Sequence, residues 1–167
     1  SSLMKLIIPP SVTKIRSSVL SGCSSLAEII IPYSINRIGS CCFKGCSSLK
    51  KIAIPSSVYE IGDYAFAECS SLTQIKIPSS VKKIGDYAFS DCSSLNKITI
   101  PSSIKEIGEG VFKGIQTLDI IGSIRKISDS MFKKCSSLEQ ISFPDSITEI
   151  ESYSFSECSS LKQITIP

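Results

Sequence analysis

Apolar and polar residues in this chain follow a pattern that repeats every 23 residues along most of its length. In the copy that begins at Cys69, Ile75 and Ile77 flank Lys76, which is the two-residue period of a β-strand with one buried face. Pro78 follows directly and ends the strand, because proline has no N–H group to donate to a β-ladder. The pattern therefore predicts one short strand in every copy.

The second half of each copy predicts two further pieces of local structure. After a Ser-Ser turn, Val81 and Ile84-Gly85 indicate a shorter extended segment. Asp86 comes next and is a favoured first residue of a helix, since its carboxylate accepts backbone N–H groups and suits the positive end of the helix dipole. We therefore expect a turn of α- or 3₁₀-helix that returns the chain to Cys92.

The period extends over the whole chain. Copies begin near residues 1, 23, 46, 69, 92, 115, 135 and 158, and six of them start with cysteine. A fixed period of this length is typical of a solenoid, in which each coil buries its apolar side chains against its neighbours. About seven repeats make residues 1–167 a single domain, and both ends fall inside a repeat. We therefore expect a segment of a longer array.

The copy that begins at Ile115 is shorter than the others. Its segment 118–124 has seven residues where the equivalent segment 95–104 has ten, and Ile121-Gly122 stand where proline ends the strand elsewhere. We expect this coil to bend or tighten the sheet locally.

The run Leu72-x-x-Ile75-x-Ile77 resembles the core of leucine-rich repeats. Its continuation, Pro78-Ser-Ser-Val81-x-x-Ile84-Gly85-x-x-Ala88-Phe89-x-x-Cys92, is similar to the BspA-like, or Treponema-type, subclass, and the match covers essentially the whole chain. The resemblance implies an α/β leucine-rich-repeat solenoid of about 23-residue coils. It would be right-handed, with a parallel β-sheet on its concave face and short extended pieces and helical or 3₁₀ turns on its convex side. It also implies kinship with proteins that are often secreted or surface-attached and associated with adhesion.

The eight cysteines are interpreted mainly as core residues. Six share the first repeat position, and Ile115 fills that position in the short copy, so the site accepts a small buried hydrophobe. Cys42 takes a core position, whereas Cys41 takes an outward one and is the candidate reactive thiol. A Cys41–Cys46 bridge or metal site remains an alternative. Free thiols fit the cytoplasm, while the family resemblance favours the cell surface or secretion.

Composition excludes several classes of function. The chain has no histidine, which removes Ser-His-Asp, Cys-His and His-metal chemistry, and it has no phosphate-binding loop or Cys-x-x-Cys pair. A net charge of +3 is too small to indicate nucleic-acid binding, and no segment approaches the ~20 apolar residues of a membrane helix. We therefore predict no enzyme activity, no cofactor, no metal, no nucleic-acid partner and no membrane insertion.

The outward residues of the concave strands are the predicted binding surface. This column has an apolar half and a basic centre, a combination that suits a protein partner. The predicted residues are Ile7, Glu28, Ile30, Lys51, Ala53, Gln74, Lys76, Lys97 and Thr99. The alternative is a solvated face whose isoleucines only reflect β propensity. A second basic column, which includes Arg37, Lys83 and Lys126, is interrupted by glutamates and predicts a solvated face with local ion pairs.

These features favour a non-catalytic protein-interaction module that acts in adhesion or recognition as part of a surface or secreted protein. A structural, self-associating array and an intracellular scaffold are the alternatives. Self-association is favoured by the terminal strands, since exposed strand edges with apolar residues such as Leu6 and Ile164 invite pairing with another chain.

Overall fold

The structure, a computed structural model, describes residues 2–166 as stacked coils joined by parallel β-ladders. The strands in this range are β1 (Lys5–Ile7), β2 (Glu28–Ile30), β3 (Arg37–Ile38), β4 (Glu60–Ile61), β5 (Gln74–Lys76), β6 (Lys83–Ile84), β7 (Lys97–Ile100), β8 (Glu106–Ile107), β9 (Thr117–Gly122), β10 (Lys126–Ile127), β11 (Gln140–Ser142), β12 (Glu149–Ile150) and β13 (Gln163–Thr165). Most strands pair with the equivalent strand of the next coil, so the ladders run along the solenoid, with breaks after β2 and between β8 and β10.

The concave sheet has two parts. Strands β1 and β2 pair with each other, and β5, β7, β9, β11 and β13 form a five-stranded sheet. Residues 51–54 lie between the two parts and are not in a ladder. Ile75 and Ile98 point into the core, where they are 4% and 0% exposed, while Gln74 and Lys97 are exposed beside them. This alternation confirms the predicted strand with one buried face.

The predicted second extended piece forms a sheet of its own, which we call the flank sheet. It consists of β3, β4, β6 and β8 in one part and β10 and β12 in the other. Gly85 allows the coils to approach here, because a Cβ atom at this residue would lie 2.5 Å from the backbone nitrogen of Asp63. Such a contact is too short for any side chain, so the glycine sets the spacing between these coils.

Between the two sheets lies a continuous core built of one column per repeat position. Phenylalanine rings form the widest column, and each ring stacks on the next with centroids 5.2 to 6.2 Å apart. The stacked residues are Phe43, Phe66, Phe89, Phe112, Phe132 and Phe155. Because every ring contacts the rings of adjacent coils, the core depends on stacking of coils and not on any single repeat.

The predicted helix after Asp86 is wrong, and the described residues contain no helix. Tyr87 and Asp91 instead adopt positive φ angles of 54° and 58°. As a result, every second N–H group in this segment points towards the next coil. The amides of Tyr87, Phe89 and Asp91 donate to the carbonyls of the next coil at 2.9, 3.0 and 2.6 Å. Asp86 caps the next coil as well, since its Oδ1 accepts the Glu109 amide at 2.9 Å. A third ladder between coils therefore takes the place of a helical turn.

The short coil changes the register of the concave sheet. Residue Lys97 of β7 lies opposite Asp119 of β9, whereas Gln140 of β11 lies opposite Thr117. The strand order is thus continuous, but the register slips by two residues across β9. An even slip keeps the same side chains facing inward, and Leu118 and Ile120 are both 1% exposed. The predicted distortion therefore takes the form of a slip, and β9 becomes the longest strand in the described range.

Candidate functional site: the concave face

The apolar half of the predicted surface lies on β1 and β2. Ile7 and Ile30 are direct partners in the parallel ladder and are 59% and 47% exposed, so they form a continuous apolar patch on the first two coils. Glu28 lies beside them, but its Oε1 is 3.0 Å from Lys5 Nζ. Its charge is therefore already balanced, and the patch presents mainly hydrocarbon.

The basic centre lies on the next three coils. In the ladder Gln74 lies opposite Lys97, and Lys76 lies opposite Thr99. A shallow depression is lined by Lys51, Ile52, Gln74, Ile75, Lys76, Lys97, Thr99 and Ile121. Within residues 2–166, Lys51, Lys76 and Lys97 form no ion pair. Three lysines without an ion pair therefore line one depression.

Ala53 is exposed in the coil between the apolar patch and the basic centre. The structure thus places all nine predicted residues on the concave side, with Ile7, Glu28 and Ile30 at one end of the column. It adds Ile121 to the depression, which the sequence pattern did not indicate. The available signal was the replacement of the strand-ending proline by Ile121-Gly122, which lets β9 continue over two further residues.

One column of the flank sheet has ion-paired charges, unlike the basic centre of the concave face. Its ladder places Arg37, Glu60, Lys83 and Glu106 side by side in that order, so positive and negative side chains alternate from coil to coil. Arg37 and Glu60 are 2.9 Å apart, and Lys83 and Glu106 are 3.0 Å apart. The predicted local ion pairing is confirmed for this column. Surface pairs of this kind contribute little stability each, but they balance the charges of this column.

The cysteine column lies in the core. All eight cysteines are free thiols, and Cys46, Cys69, Cys92 and Cys135 are 0% exposed. The thiol of Cys69 donates to the carbonyl of Phe43 at 3.2 Å, and that of Cys92 donates to the carbonyl of Phe66 at 3.0 Å. These contacts confirm the interpretation of the first repeat position as a core site.

The Cys41–Cys46 bridge is not formed. The Cys46 thiol instead donates to the Leu20 carbonyl at 3.3 Å, and burial raises its pKa to about 11. Burial also raises the pKa of Cys92 to about 12. Protonated, buried thiols are poor nucleophiles and poor metal ligands. Among residues 2–166, no three histidine, cysteine, aspartate or glutamate side chains are grouped so that they could hold a metal ion.

The stacked parallel strands and the concave column of variable residues define a leucine-rich repeat solenoid. Two overlapping matches to the family model "BspA type Leucine rich repeat region (6 copies)" cover residues 1–119 and 59–167. The chain therefore belongs to the BspA-type leucine-rich repeat family. Leucine-rich repeats generally mediate protein–protein interactions and are typically non-catalytic scaffolds. No curated protein sequence matches the chain.

Solved structures support the same fold. The leucine-rich repeat protein of T. pallidum is 27% identical, with a TM-score of 0.76, and the alignment covers 96% of this chain and 79% of that one. A leucine-rich repeat protein from Bacteroides ovatus is 28% identical, with a TM-score of 0.66 over 95% of this chain and 47% of that one. One from Eubacterium ventriosum, at 23% identity, shows the fold alone, with a TM-score of 0.63 over 99% and 49% of the two chains.

This chain thus spans about half the length of the last two proteins. Within residues 2–166, no helix is present that is long and apolar enough to cross a bilayer.

Proposed function

We propose that residues 1–167 act as one non-catalytic recognition domain that binds a protein partner through the concave face. The observation that supports this most is the contrast between the two sheets. In the flank column from Arg37 to Glu106, charges alternate in sign and are paired across coils, whereas Lys51, Lys76 and Lys97 on the concave face form no ion pair within the described residues. Unpaired like charges beside an exposed apolar patch have no role in holding the coils together, and they suit a complementary surface.

The composition of the face defines the kind of partner. Ile7 and Ile30 would contact apolar side chains, and the three lysines would contact carboxylates. The expected partner therefore carries an apolar patch next to an acidic one. The proposal includes an adhesion role at the cell surface or in secretion, because the repeat resembles those of BspA-like proteins. The free thiols are also compatible with an intracellular scaffold.

Charge reversal on the concave face tests this function. In the double variant Ile30→Asp, Lys76→Asp, a carboxylate replaces an apolar side chain that the partner would cover, and a second carboxylate in the basic centre repels an acidic partner. We expect the affinity for a purified acidic partner, found with the chain as bait, to fall by at least about 30-fold, which corresponds to the roughly 2 kcal/mol of an interface hot spot. Isothermal calorimetry measures the change.

Two substitutions on the flank serve as a matched control. Ile150 is 52% exposed, close to the 47% of Ile30, and Lys82 is exposed as Lys76 is. The variant Ile150→Asp, Lys82→Asp should bind as the parent does. If both double variants lose affinity equally, or if neither loses affinity, the partner does not bind at the concave face.

A self-associating array is the second candidate, and the terminal strand favours it. Ile164 and Ile166 are 42% and 38% exposed, and the outer edge of β13 has no neighbouring strand among the described residues. Under this alternative, Ile164→Asp lowers the mass measured by sedimentation and leaves partner binding unchanged. The concave double variant should do the reverse, so the two functions give opposite results in the same pair of assays.

A further inference from the structure

The ladders that join neighbouring coils are interrupted at one place on the flank. Between β6 and β8, the amides of Lys105 and Gly108 donate to the carbonyls of Lys82 and Ile84, each at 2.9 Å. Between the next two flank strands, β8 and β10, the equivalent groups are the amides of Arg125 and Ser128 and the carbonyls of Lys105 and Ile107. Within residues 2–166, none of these four groups makes that bond, and β8 and β10 are not paired.

The interruption exposes apolar surface that other coils cover. Val81, Ile84 and Gly85 are buried, and the first two are 0% and 1% exposed. Their equivalents one coil on, Ile104, Ile107 and Gly108, are all half-buried. The shortened coil that begins at Ile115 does not reach far enough to cover them. The flank therefore holds a groove with an unpaired strand edge on either side, from β8 and β10, and isoleucine at its base.

The two coils are nevertheless firmly connected elsewhere. Strands β7 and β9 pair over four residues of the concave sheet, and the rings of Phe112 and Phe132 stack with centroids 5.4 Å apart. Glu109 also bridges the coils, with oxygens 2.6 Å from Lys134 Nζ and 3.3 Å from Lys133 Nζ. The opening thus lies in a coil pair whose concave pairing and aromatic core are intact.

The groove carries an excess of carboxylates. Its charged lining consists of Asp63, Lys83, Asp86, Lys105, Glu106, Lys126, Asp129 and Glu151. Lys83 and Lys126 are neutralised by Glu106 and Glu151, at 3.0 and 2.8 Å. Three aspartates therefore remain against one lysine, and an occupant of opposite charge is favoured.

We propose that the groove between β8 and β10 binds an extended, basic segment of a partner polypeptide by strand addition. Such a segment supplies amides to the carbonyls of Lys105 and Ile107 and carbonyls to the amides of Arg125 and Ser128, so both open edges are paired at once. Main-chain hydrogen bonds then provide affinity, and the alternating side chains provide selectivity. One set of side chains rests on Ile104 and Ile107, and the other presents ammonium groups to the aspartates.

This surface is distinct from the proposed concave site, and its test separates the two. The probe is an acetylated and amidated hexapeptide of alternating lysine and valine. Binding is measured by fluorescence anisotropy at low salt, beside a peptide with glutamate in place of lysine and one N-methylated at alternate residues. We expect the lysine peptide to bind at least tenfold more tightly than either, and to slow amide exchange at Arg125 and Ser128.

A coil graft closes the groove without touching its lining. Replacing residues 118–124 by a copy of residues 72–81 restores the regular coil length, so β8 and β10 can pair and peptide binding should fall at least tenfold. The matched control replaces residues 95–103 by residues 72–80, which leaves Ile104 and the opening unchanged. The concave variant Ile30→Asp, Lys76→Asp should bind the peptide as the parent does.

Three outcomes would overturn the strand-addition groove. The first is an absence of lysine-peptide binding to the parent chain, and the second is equal binding of the N-methylated peptide. The third is equal binding to a folded coil graft and to its control. Should the graft not fold, the exchange measurement on the parent decides, because binding that leaves Arg125 and Ser128 unprotected is binding at another place.

Discussion

Raising the pH from about 9 towards 12 is expected to unfold this chain steeply, because its core contains protonated thiols that cannot ionise in place. Burial raises the pKa of Cys46 to about 11 and that of Cys42, Cys92 and Cys135 to about 12. An exposed thiol in the unfolded chain ionises near pH 8.5. Above that pH the unfolded chain has lost protons that the folded chain still holds.

The sign and size of the effect follow from proton linkage. A group whose pKa is raised by folding contributes its full stability below the pKa of the unfolded chain, and that contribution is lost as the pH rises towards the folded value. Each such proton changes the free energy of unfolding by about 1.4 kcal/mol per pH unit. Four thiols together approach about 5 kcal/mol per pH unit, which rivals the roughly 5–15 kcal/mol that stabilises a typical domain.

Urea denaturation followed by circular dichroism at several pH values between 7 and about 11 measures this slope. The variant Cys92→Ala removes one buried thiol, and its slope should be lower than that of the parent by about 1.4 kcal/mol per pH unit. Lysine and tyrosine titrate in the same range, but they are common to both proteins and cancel in the difference. Ser79→Ala, an exposed and non-titrating change, should keep the parent slope. Identical slopes for Cys92→Ala and the parent would contradict the buried, protonated column.

Truncating one ring of the phenylalanine column is the second large effect. Phe89 is 0% exposed, and its ring stacks on Phe66 and Phe112 with centroids 5.4 and 6.2 Å away. Phe89→Ala removes contacts with both neighbouring coils and leaves a cavity that a laddered backbone cannot readily close. We expect a loss of about 3–5 kcal/mol in the free energy of unfolding, measured by guanidinium denaturation.

A leucine at the same position is the matched control. Leu20 occupies the aromatic slot of the first coil and is 6% exposed, so the chain itself shows that leucine fits there. Phe89→Leu should therefore cost less than about 1.5 kcal/mol. Similar losses for the alanine and leucine variants would mean that the ring column is not what holds these coils together.

The 23-residue period was sufficient to predict the columns of the core and the concave strands. A side chain that recurs at one repeat position must lie on its copies in a solenoid, which is why Cys46, Cys69 and Cys92 are all buried. The alternation of arginine or lysine with glutamate along the flank likewise predicted its ion pairs. These features depend only on repeat spacing, and the sequence states that spacing directly.

The helix prediction failed for a physical reason. Asp86 followed by Tyr87, Ala88 and Phe89 has the composition of a helix start, but the donors in this segment find better partners in the next coil. Its amides pair with Glu109, Val111 and Lys113 in a ladder that a helix would abolish. Local propensity therefore loses to the stacking of coils, and a single copy of the repeat does not contain that information.

The candidate sites show the same limit. The nine predicted concave residues follow from the period, but Ile121 does not, because it belongs to the one coil that breaks the period. The sequence shows that this coil is three residues shorter than the others, but two structural consequences of the shortening depend on how the coils stack. These are the slip that places Asp119 opposite Lys97 and the opening beside Ile107.

Within the described residues, the flank ladder and the ladder beside the phenylalanine column join neighbouring coils up to Phe112, and at the next step both are absent while the concave pairing of β7 with β9 remains. Amide hydrogen exchange, read residue by residue by NMR, tests this arrangement directly. The amides of Tyr87, Phe89 and Asp91, which are bonded to the next coil, should exchange slowly, while those of Gly110, Phe112 and Gly114, which have no acceptor among the described residues, should exchange far faster. Equal protection of the two sets would contradict the account.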